Sequence, residues 1–147
     1  MLLSNRVAAS LVYQHGATAC TDITGFGLLG HTVEMIRPSK VDVDIYLDSL
    51  PVLEGAEETI SMGILSSLQP ANVRLRRAIR NREDAVNLTR FPIIFDPQTS
   101  GGLLASVPEV HVDDCVAALH AEGFCSTAVV GEVKPESDNL EPIMLLM

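Results

Sequence analysis

The chain has 147 residues, of which 47% are hydrophobic and 20% are charged, a composition typical of a single globular domain and not of a disordered segment. Ten lysines and arginines stand against 19 aspartates and glutamates, which gives a net charge of −9 and argues against nucleic acid as a partner of the whole chain. No apolar run reaches the roughly 20 residues of a membrane helix, and the first residues lack a secretion-signal pattern, so we expect a cytoplasmic protein without membrane contact.

The N-terminal part of the chain predicts a helix, a short strand and a second helix. Ser4 is placed to cap a first helix over residues 5–14, since a serine side chain can accept from a free amide of the first turn. Residues 17–23 form a short apolar run that predicts a strand. Apolar residues then recur with helical period over residues 26–37, and we expect this helix to end before Pro38 because proline disfavours helical backbone in the residue before it.

The middle of the chain contains the clearest strand pattern. Residues 41–47 alternate between apolar and polar, which predicts a strand with one face on the core. We expect a short helix over residues 54–62, a loop over residues 63–70 and a further helix over residues 72–79. Five arginines lie in or just after this last segment: Arg74, Arg76, Arg77, Arg80 and Arg82. They form either a solvated helix face, which is the commoner case, or a patch that meets an anion.

The last third of the chain predicts strands, one helix and a tail. The strands are expected at residues 91–95, 103–107 and 127–133. A polar loop at residues 96–102 joins the first two strands, an amphipathic helix is predicted over residues 112–121, and residues 134–147 have the pattern of a tail. We therefore divide the chain into a domain at residues 1–135 and a tail at residues 136–147. Because helices and strands interleave, the expected fold is α/β (α+β), with helices covering a mixed β-sheet.

The cysteines and two of the histidines do not follow a disulfide or zinc pattern. Cys20, Cys115 and Cys125 are an odd number without CxxC spacing, so we expect reduced thiols. No histidine or cation adjoins Cys20 in sequence, and we interpret it as a small buried residue and not as a nucleophile. His15 and His31 share no metal-ligand spacing with each other or with a cysteine, which favours surface or core histidines.

The stretch "TDITGFGLLGH", residues 21–31, contains one carboxylate among small and apolar residues. Two interpretations of that carboxylate, Asp22, stay open. It can bind Mg²⁺, which takes oxygen ligands and commonly only one or two carboxylates beside substrate phosphates, while Gly25 and Gly27 let the backbone approach a ligand. Alternatively, Asp22 or Thr24 caps the helix that begins at Phe26, and the glycines serve only a tight turn.

A second stretch, "FDPQTSGGLL" at residues 95–104, has similar ingredients. An acid and two hydroxyl side chains precede paired glycines and an apolar run. No lysine follows the glycines, so the stretch is not a P-loop. By itself this pattern favours a polar turn between two strands.

The two stretches together, some seventy residues apart, resemble the C-terminal half of the selenophosphate synthetases, also called selenide, water dikinases. The likeness extends over most of the chain, from the Ser4 helix to residues 131–133, and the related superfamily is that of aminoimidazole ribonucleotide synthetase. The pair of motifs is far more specific than either glycine pair alone. The resemblance implies the fold of the second of two domains in such enzymes.

The resemblance also implies an activity, the synthesis of selenophosphate, AMP and phosphate from ATP, selenide and water, with Mg²⁺ as cofactor. In such enzymes an N-terminal domain contacts most of the ATP and carries the reactive cysteine or selenocysteine, its partner lysine and the other metal-binding aspartates. Asp22 matches the family's one metal ligand from the C-terminal domain. The residues expected near the ligand are Thr24, Gly25, Gly27, Asn72, Thr99, Ser100, Gly101 and Gly102. A homodimer is implied for the full-length enzyme, and no activity for this chain alone.

One stretch departs from the family pattern. In "GILSSLQPANVRLRR", residues 63–77, Asn72 matches the family pattern, but residues 66–69 stand where many members have a glycine pair. This stretch is similar to the sequence of a subgroup in which the synthetase is fused to a flavin-dependent oxidoreductase. The sequence is compared with two other hypotheses because both share the expected fold. The hypothesis of a free-standing regulatory or interaction module with the same fold stays open. A synthetase that acts on another substrate, such as an aminoimidazole precursor, is disfavoured because the residues of both motifs resemble those of the selenium enzymes.

Overall fold

The structure, a computed structural model, describes residues 4–147. Within them the helices are α1 Asn5–Gln14, α2 Gly27–Ser39, α3 Ala56–Ser61, α4 Gln69–Asn72, α5 Arg82–Ala85 and α6 Val112–Ala121. The strands are β1 Ala19–Asp22, β2 Val41–Tyr46, β3 Leu103–Ser106, β4 Gly131–Pro135 and β5 Ile143–Leu146. In addition, 3₁₀ helices cover Leu47–Ser49, Val73–Ala78, Phe91–Phe95 and Glu109–His111. None of the helices in this part of the chain has the length and apolar character that crossing a bilayer requires.

The strands form two separate sheets. Strands β1 and β3 pair antiparallel, so that Asp22 lies opposite Leu103. In the second sheet β2 is central, with β4 antiparallel on one side and β5 parallel on the other. The expected α/β class with mixed sheet pairing is confirmed, although the strands divide between two sheets.

Each sheet has its own hydrophobic core. The larger core lies between α2, the three-stranded sheet and the Phe91–Phe95 segment, and its most completely buried side chains are Leu29, Leu47, Ile79, Ile94, Phe95, Ile143 and Leu145. The smaller core lies between α1, α6 and the two-stranded sheet, around Val12 and Leu119. Helix α1 begins where predicted, since the Ser4 hydroxyl accepts from the Arg6 amide at 3.3 Å.

The prediction of a strand at residues 91–95 is wrong, because Phe91–Phe95 forms a 3₁₀ helix. Its buried residues are Phe91, Ile94 and Phe95, at the i, i+3, i+4 spacing of one helix face. Pro92 lies at its start, a position that proline favours because the missing amide would be unpaired there in any case. The aromatic and β-branched composition was therefore a weaker signal than the spacing.

The expected tail at residues 134–147 is also wrong for its last part, because Ile143–Leu146 forms strand β5 beside β2. Ile143 and Leu145 are almost completely buried, and burial of each side chain contributes about 1.5–3 kcal/mol. The strand predicted at residues 127–133 lies later, at Gly131–Pro135, where it pairs with β2 and leads into this segment.

Two other boundaries differ from expectation. Helix α2 continues through Pro38 to Ser39. The Ser39 hydroxyl donates to the Met35 carbonyl at 2.7 Å and so gives a carbonyl of the last turn a hydrogen-bond partner. Lys40, with φ 51°, ends the helix in the left-handed region. The loop expected over residues 63–70 is shorter, because α4 already begins at Gln69.

The alternation in β2 does not leave all its polar side chains in solvent, because Asp42 is buried. Its carboxylate accepts from the Arg80 guanidinium at 2.6 Å and from the Ser137 hydroxyl. The Ser137 hydrogen bond lowers the pKa of the Asp42 carboxyl, burial opposes this, and the Arg80 charge adds to the lowering. Arg80 therefore has a structural partner, whereas Arg74 and Arg76 are exposed.

We predict that Asp42→Asn lowers the free energy of unfolding at neutral pH by about 2 kcal/mol, because a buried charge-assisted hydrogen bond is lost. A carboxyl with a lowered pKa in the folded state stabilises above its usual pKa of roughly 3.9, and this stabilisation is lost as the pH falls through the lowered value. Urea unfolding at pH 7 and pH 3 measures both effects. Asp44→Asn, on the same strand, is the control. An Asp42→Asn deficit that stays constant with pH would contradict this assignment.

Candidate functional site

The two glycine motifs lie side by side in the fold. We define the first glycine loop as residues 23–27 and the second glycine loop as residues 96–102. The β1–β3 pairing continues into them, because the Ile23 amide donates to the Gly102 carbonyl at 2.9 Å and the Gly101 amide donates to the Ile23 carbonyl at 3.1 Å. The Thr24 carbonyl accepts from the Gln98 amide at 3.0 Å. Two stretches far apart in sequence thus form one surface.

Two glycines permit this close approach. Gly27 has φ +69°, and a Cβ added there would lie 2.9 Å from the Phe95 carbonyl carbon and 3.0 Å from the Asp96 oxygen. A Cβ on Gly101 would clash with the Ile23 carbonyl oxygen. By contrast, a Cβ on Gly25 would meet nothing within 4 Å. The glycines therefore serve two roles, backbone packing at Gly27 and Gly101 and open space at Gly25.

Asn72 joins the first glycine loop to the start of the second. Its side chain is buried, and its Nδ2 donates to the Gly25 carbonyl at 2.8 Å and to the Phe95 carbonyl at 3.0 Å. Gln69, one turn earlier in α4, donates to the Pro92 carbonyl at 2.9 Å. The stretch that departs from the family pattern therefore still supplies the Asn72 side-chain amide, which ties the first glycine loop to the residue before the second.

The carboxylate of Asp22 lies at the end of β1, directly before the first glycine loop, and is exposed. None of the ion pairs within residues 4–147 involves it, so its charge is not neutralised by a described side chain.

Cys20 lies two residues before Asp22 on the same face of the strand and is exposed, which corrects the expectation that it is buried. Partial desolvation, and then the Asp22 charge, raise the pKa of the Cys20 thiol, so this cysteine is not an activated nucleophile.

The capping alternative for Asp22 and Thr24 is wrong. Helix α2 begins after Phe26 without a side-chain cap, and Thr24 contributes only its carbonyl, which accepts from the Gly27 amide at 3.1 Å. The Thr24 amide and hydroxyl face the ring of His31 instead. The end of β1 is therefore not explained by helix capping.

Other residues expected near a ligand occupy the rim of the same surface. Thr99, Ser100 and Gly102 in the second glycine loop are exposed, and a Cβ on Gly102 would meet nothing within 4 Å. All of the residues expected at the site lie on or directly against the two loops, apart from Asp22 just before them. The structure gives no side-chain hydrogen bond within residues 4–147 from Thr99 or Ser100 to the other loop.

The acidic side chains of this surface can supply one ligand to a cation but do not form a complete metal centre. An exposed, unpaired carboxylate is a suitable oxygen ligand for Mg²⁺. Within residues 4–147, however, no group of three or more histidine, cysteine, aspartate and glutamate side chains is arranged to hold a metal. Asp96, the acid of the second glycine loop, accepts from the Gln98 side chain at 3.1 Å. Further ligands would have to come from water, substrate or another part of a larger protein.

The sequence interpretation missed three residues that build this surface. The His31 ring contacts Thr24, the backbone amide of Gln98 pairs with the first glycine loop, and the side-chain amide of Asn5 in α1 donates to the Gly101 carbonyl at 3.1 Å. One signal was available for His31. Helical side chains lean toward the helix N-terminus, so a histidine four residues into α2 reaches back to the loop before it.

Comparison with known proteins agrees with the resemblance inferred from the two motifs. The sequence model of the family described as AIR synthase related protein, C-terminal domain, matches residues 1–140. Similar proteins include the selenide, water dikinases of Caldanaerobacter subterraneus subsp. tengcongensis, 38% identical over 137 residues, and of Burkholderia cenocepacia, 40% identical over 130 residues. The matches cover 91% and 88% of this chain.

The relatives are much longer than the chain. The same two alignments cover 39% and 36% of the relatives, and a third relative, from Clostridioides difficile, is 37% identical over 142 residues with 40% of its length covered. The chain therefore spans about two fifths of the curated relatives that it matches. Residues outside the matched part of such a protein could supply what this surface lacks.

We predict that Gly27→Ala lowers the free energy of unfolding by about 2 kcal/mol or more, because overpacking against backbone costs roughly 1–3 kcal/mol and a left-handed backbone adds to it. Gly25→Ala is the matched control, with open space around the added methyl group. Thermal unfolding of both variants measures the difference. Equal midpoints for the two variants would show that the loops do not pack in this way.

Proposed function

This chain belongs to the family of AIR synthase related protein C-terminal domains, and from that premise we propose that it is the C-terminal domain of an ATP-dependent selenophosphate synthetase. The reaction converts ATP, selenide and water to selenophosphate, AMP and phosphate. In this proposal the chain forms one wall of the active site, and the remainder of a longer protein, the full-length protein, forms the other wall. We propose a homodimer for that protein, a cytoplasmic location, and no role for nucleic acid or membrane.

The observation that carries the proposal is the joining of the two glycine loops beside an unpaired carboxylate. Backbone pairing, the close approach at Gly27 and the Asn72 bridge hold the loops together. These contacts join the two loops into one surface next to Asp22. Phosphoryl transfer depends mainly on positioning and on neutralising charge, and a loop surface held by backbone hydrogen bonds beside an exposed carboxylate suits that requirement.

Asp22 is the residue of this chain that would hold Mg²⁺. When bound, the ion would neutralise phosphate charge and orient the nucleotide. The contribution of the chain itself is to fix the carboxylate at the end of β1, where the Asp22–Leu103 pairing and the Ile23 hydrogen bonds limit its movement. Thr24 and the exposed residues of the second glycine loop would border the nucleotide phosphates.

The same geometry explains why we expect the chain alone to be inactive. One carboxylate cannot assemble a magnesium site, because Mg²⁺ keeps near-octahedral coordination and would otherwise retain water. Two cavities within residues 4–147 are lined by other residues, among them Arg90 in one and Arg77 in the other. The family resemblance implies that a reactive cysteine or selenocysteine, its lysine and the other aspartates lie in the remainder of the full-length protein.

We predict that Asp22→Asn in the full-length protein reduces selenide-dependent ATP consumption at least about 100-fold, because the metal contribution amounts to several kcal/mol. The fold should be unchanged, since Asp22 is exposed and has no ion-pair partner within residues 4–147. Asp138→Asn, at another exposed aspartate, is the control and should retain wild-type turnover. Near-normal turnover of the Asp22 variant would remove this residue from metal binding.

We also predict that the 147-residue chain by itself does not hydrolyse ATP, with or without selenide and Mg²⁺. Release of phosphate from a purified preparation measures this. Turnover that co-purifies with the chain and is lost in Asp22→Asn would show that the chain carries a complete active site. The reading frame upstream of Met1 offers a separate check, because the absence there of a glycine-rich segment with cysteine or selenocysteine followed by lysine would favour a free-standing interaction module.

A further inference from the structure

His31 is a buried side chain that the proposed function does not yet use. Only 5% of the residue is exposed, although it lies in the second turn of α2 beside the first glycine loop. Its Nε2 accepts a hydrogen bond from the Thr24 amide at 3.0 Å, and the Thr24 hydroxyl oxygen lies 3.2 Å from the same nitrogen. The imidazole therefore contacts both polar groups that Thr24 directs toward α2.

These contacts define which nitrogen of the neutral imidazole carries the proton. A backbone amide can only donate, so Nε2 must be the nitrogen without a proton, and the proton of the neutral ring lies on Nδ1. Nδ1 has no hydrogen bond within residues 4–147, but Glu34 Oε2 lies 3.3 Å away. Glu34 is exposed, and a small rotation of its side chain would complete a bond that fixes this tautomer.

The ring is also held sterically. The aromatic ring of Phe26 packs against it with a centroid distance of 5.6 Å. Phe26 in turn lies against Gly30, where an added Cβ would come within 2.5 Å of the Phe26 Cβ. The imidazole thus lies between the first glycine loop and α2 with little freedom to rotate.

The Thr24 amide is held differently from its neighbours in the loop. The Ile23 amide and carbonyl pair with the backbone of the second glycine loop, and the Thr24 carbonyl accepts from Gly27 and Gln98. The Thr24 amide instead depends on one side chain, His31. Removal of that acceptor leaves a donor unpaired two residues from Asp22.

We propose that His31 is a positioning residue for the cation ligand Asp22, because its Nε2 fixes the Thr24 amide and thereby the direction in which the chain leaves β1. The inference rests on the proposed function in assigning Asp22 to Mg²⁺. It adds a specific role for a histidine that touches neither the ion nor the nucleotide. Groups that hydrogen-bond a metal ligand directly commonly change metal affinity 10–100-fold, and because His31 acts through Thr24 we expect an effect at the lower end of that range.

Two substitutions at His31 separate the role of the acceptor from a general effect on folding. In His31→Gln the side-chain oxygen can take the place of Nε2 and accept from the Thr24 amide, whereas in His31→Asn the side chain is too short to reach it. Thr32→Val is the control. Thr32 is buried in the same helix and donates only to the Leu28 carbonyl at 2.9 Å, so its loss should affect the helix without changing the Thr24 contact.

The first measurement is amide hydrogen exchange at Thr24 in the 147-residue chain, followed by NMR. We expect exchange at Thr24 to accelerate at least about 10-fold in His31→Asn, since the acceptor that its amide has within residues 4–147 is lost, and to stay near wild type in His31→Gln and Thr32→Val. Unchanged protection of Thr24 in His31→Asn would overturn the inference. If that variant does not fold, fast exchange at Thr24 in folded His31→Gln overturns it equally, and wild-type protection there supports it.

The second measurement is the Mg²⁺ dependence of ATP consumption by the full-length protein. We expect His31→Asn to raise the Mg²⁺ concentration at half-maximal rate about 10-fold, with a smaller change in kcat, and His31→Gln to restore it. Equal effects of both substitutions, or an effect on kcat alone, would show a merely structural role. A wild-type protein without selenide-dependent activity would overturn the proposed function, while the exchange measurement would still decide whether His31 holds Thr24.

Discussion

The site depends on one contact, the approach of the first glycine loop to the backbone around Phe95. Gly27 permits it because a side chain at φ +69° would be strained and would meet the Phe95 and Asp96 backbone. The Asn72 amide then partners the two carbonyls that this approach brings together. With these groups in place, the β1–β3 ladder extends into both loops and leaves Asp22 at its exposed end.

This arrangement explains why an acid lies in an apolar stretch of sequence. The apolar neighbours pack inward or pair as strand, and the loops are fixed by backbone hydrogen bonds and buried amides, so the carboxylate has no role in holding them. Its charge remains unpaired within residues 4–147, and because Asp22 is exposed to solvent, the carboxylate is accessible to a cation or a substrate. The family relationship and the two-fifths coverage of the selenide, water dikinases agree with a wall of an active site that needs a second wall.

Much of the fold could be predicted from the sequence where one signal dominated. Helix α6 lies where its period placed it, at Val112–Ala121, and β1 and β2 fall within the predicted strands. Phe91–Phe95 and Ile143–Leu146 could not be predicted as easily. Short apolar runs fit either a helical turn or a strand, and the choice depends on partners distant in sequence, such as β2 for the last strand. The candidate site residues could be identified from the two motifs. The hydrogen bonds by which Asn72 and His31 connect them could not, because these bonds depend on tertiary contacts.

The proposal that this surface belongs to a selenophosphate synthetase stands or falls on the product of the reaction. Phosphorus NMR of the full-length protein supplied with ATP, selenide and Mg²⁺ distinguishes selenophosphate, AMP and phosphate in one spectrum. We expect the three products to appear together and in equal amounts, and only when selenide is present. Formation of ADP and phosphate without a phosphorus–selenium species, or no ATP consumption at all, would contradict it.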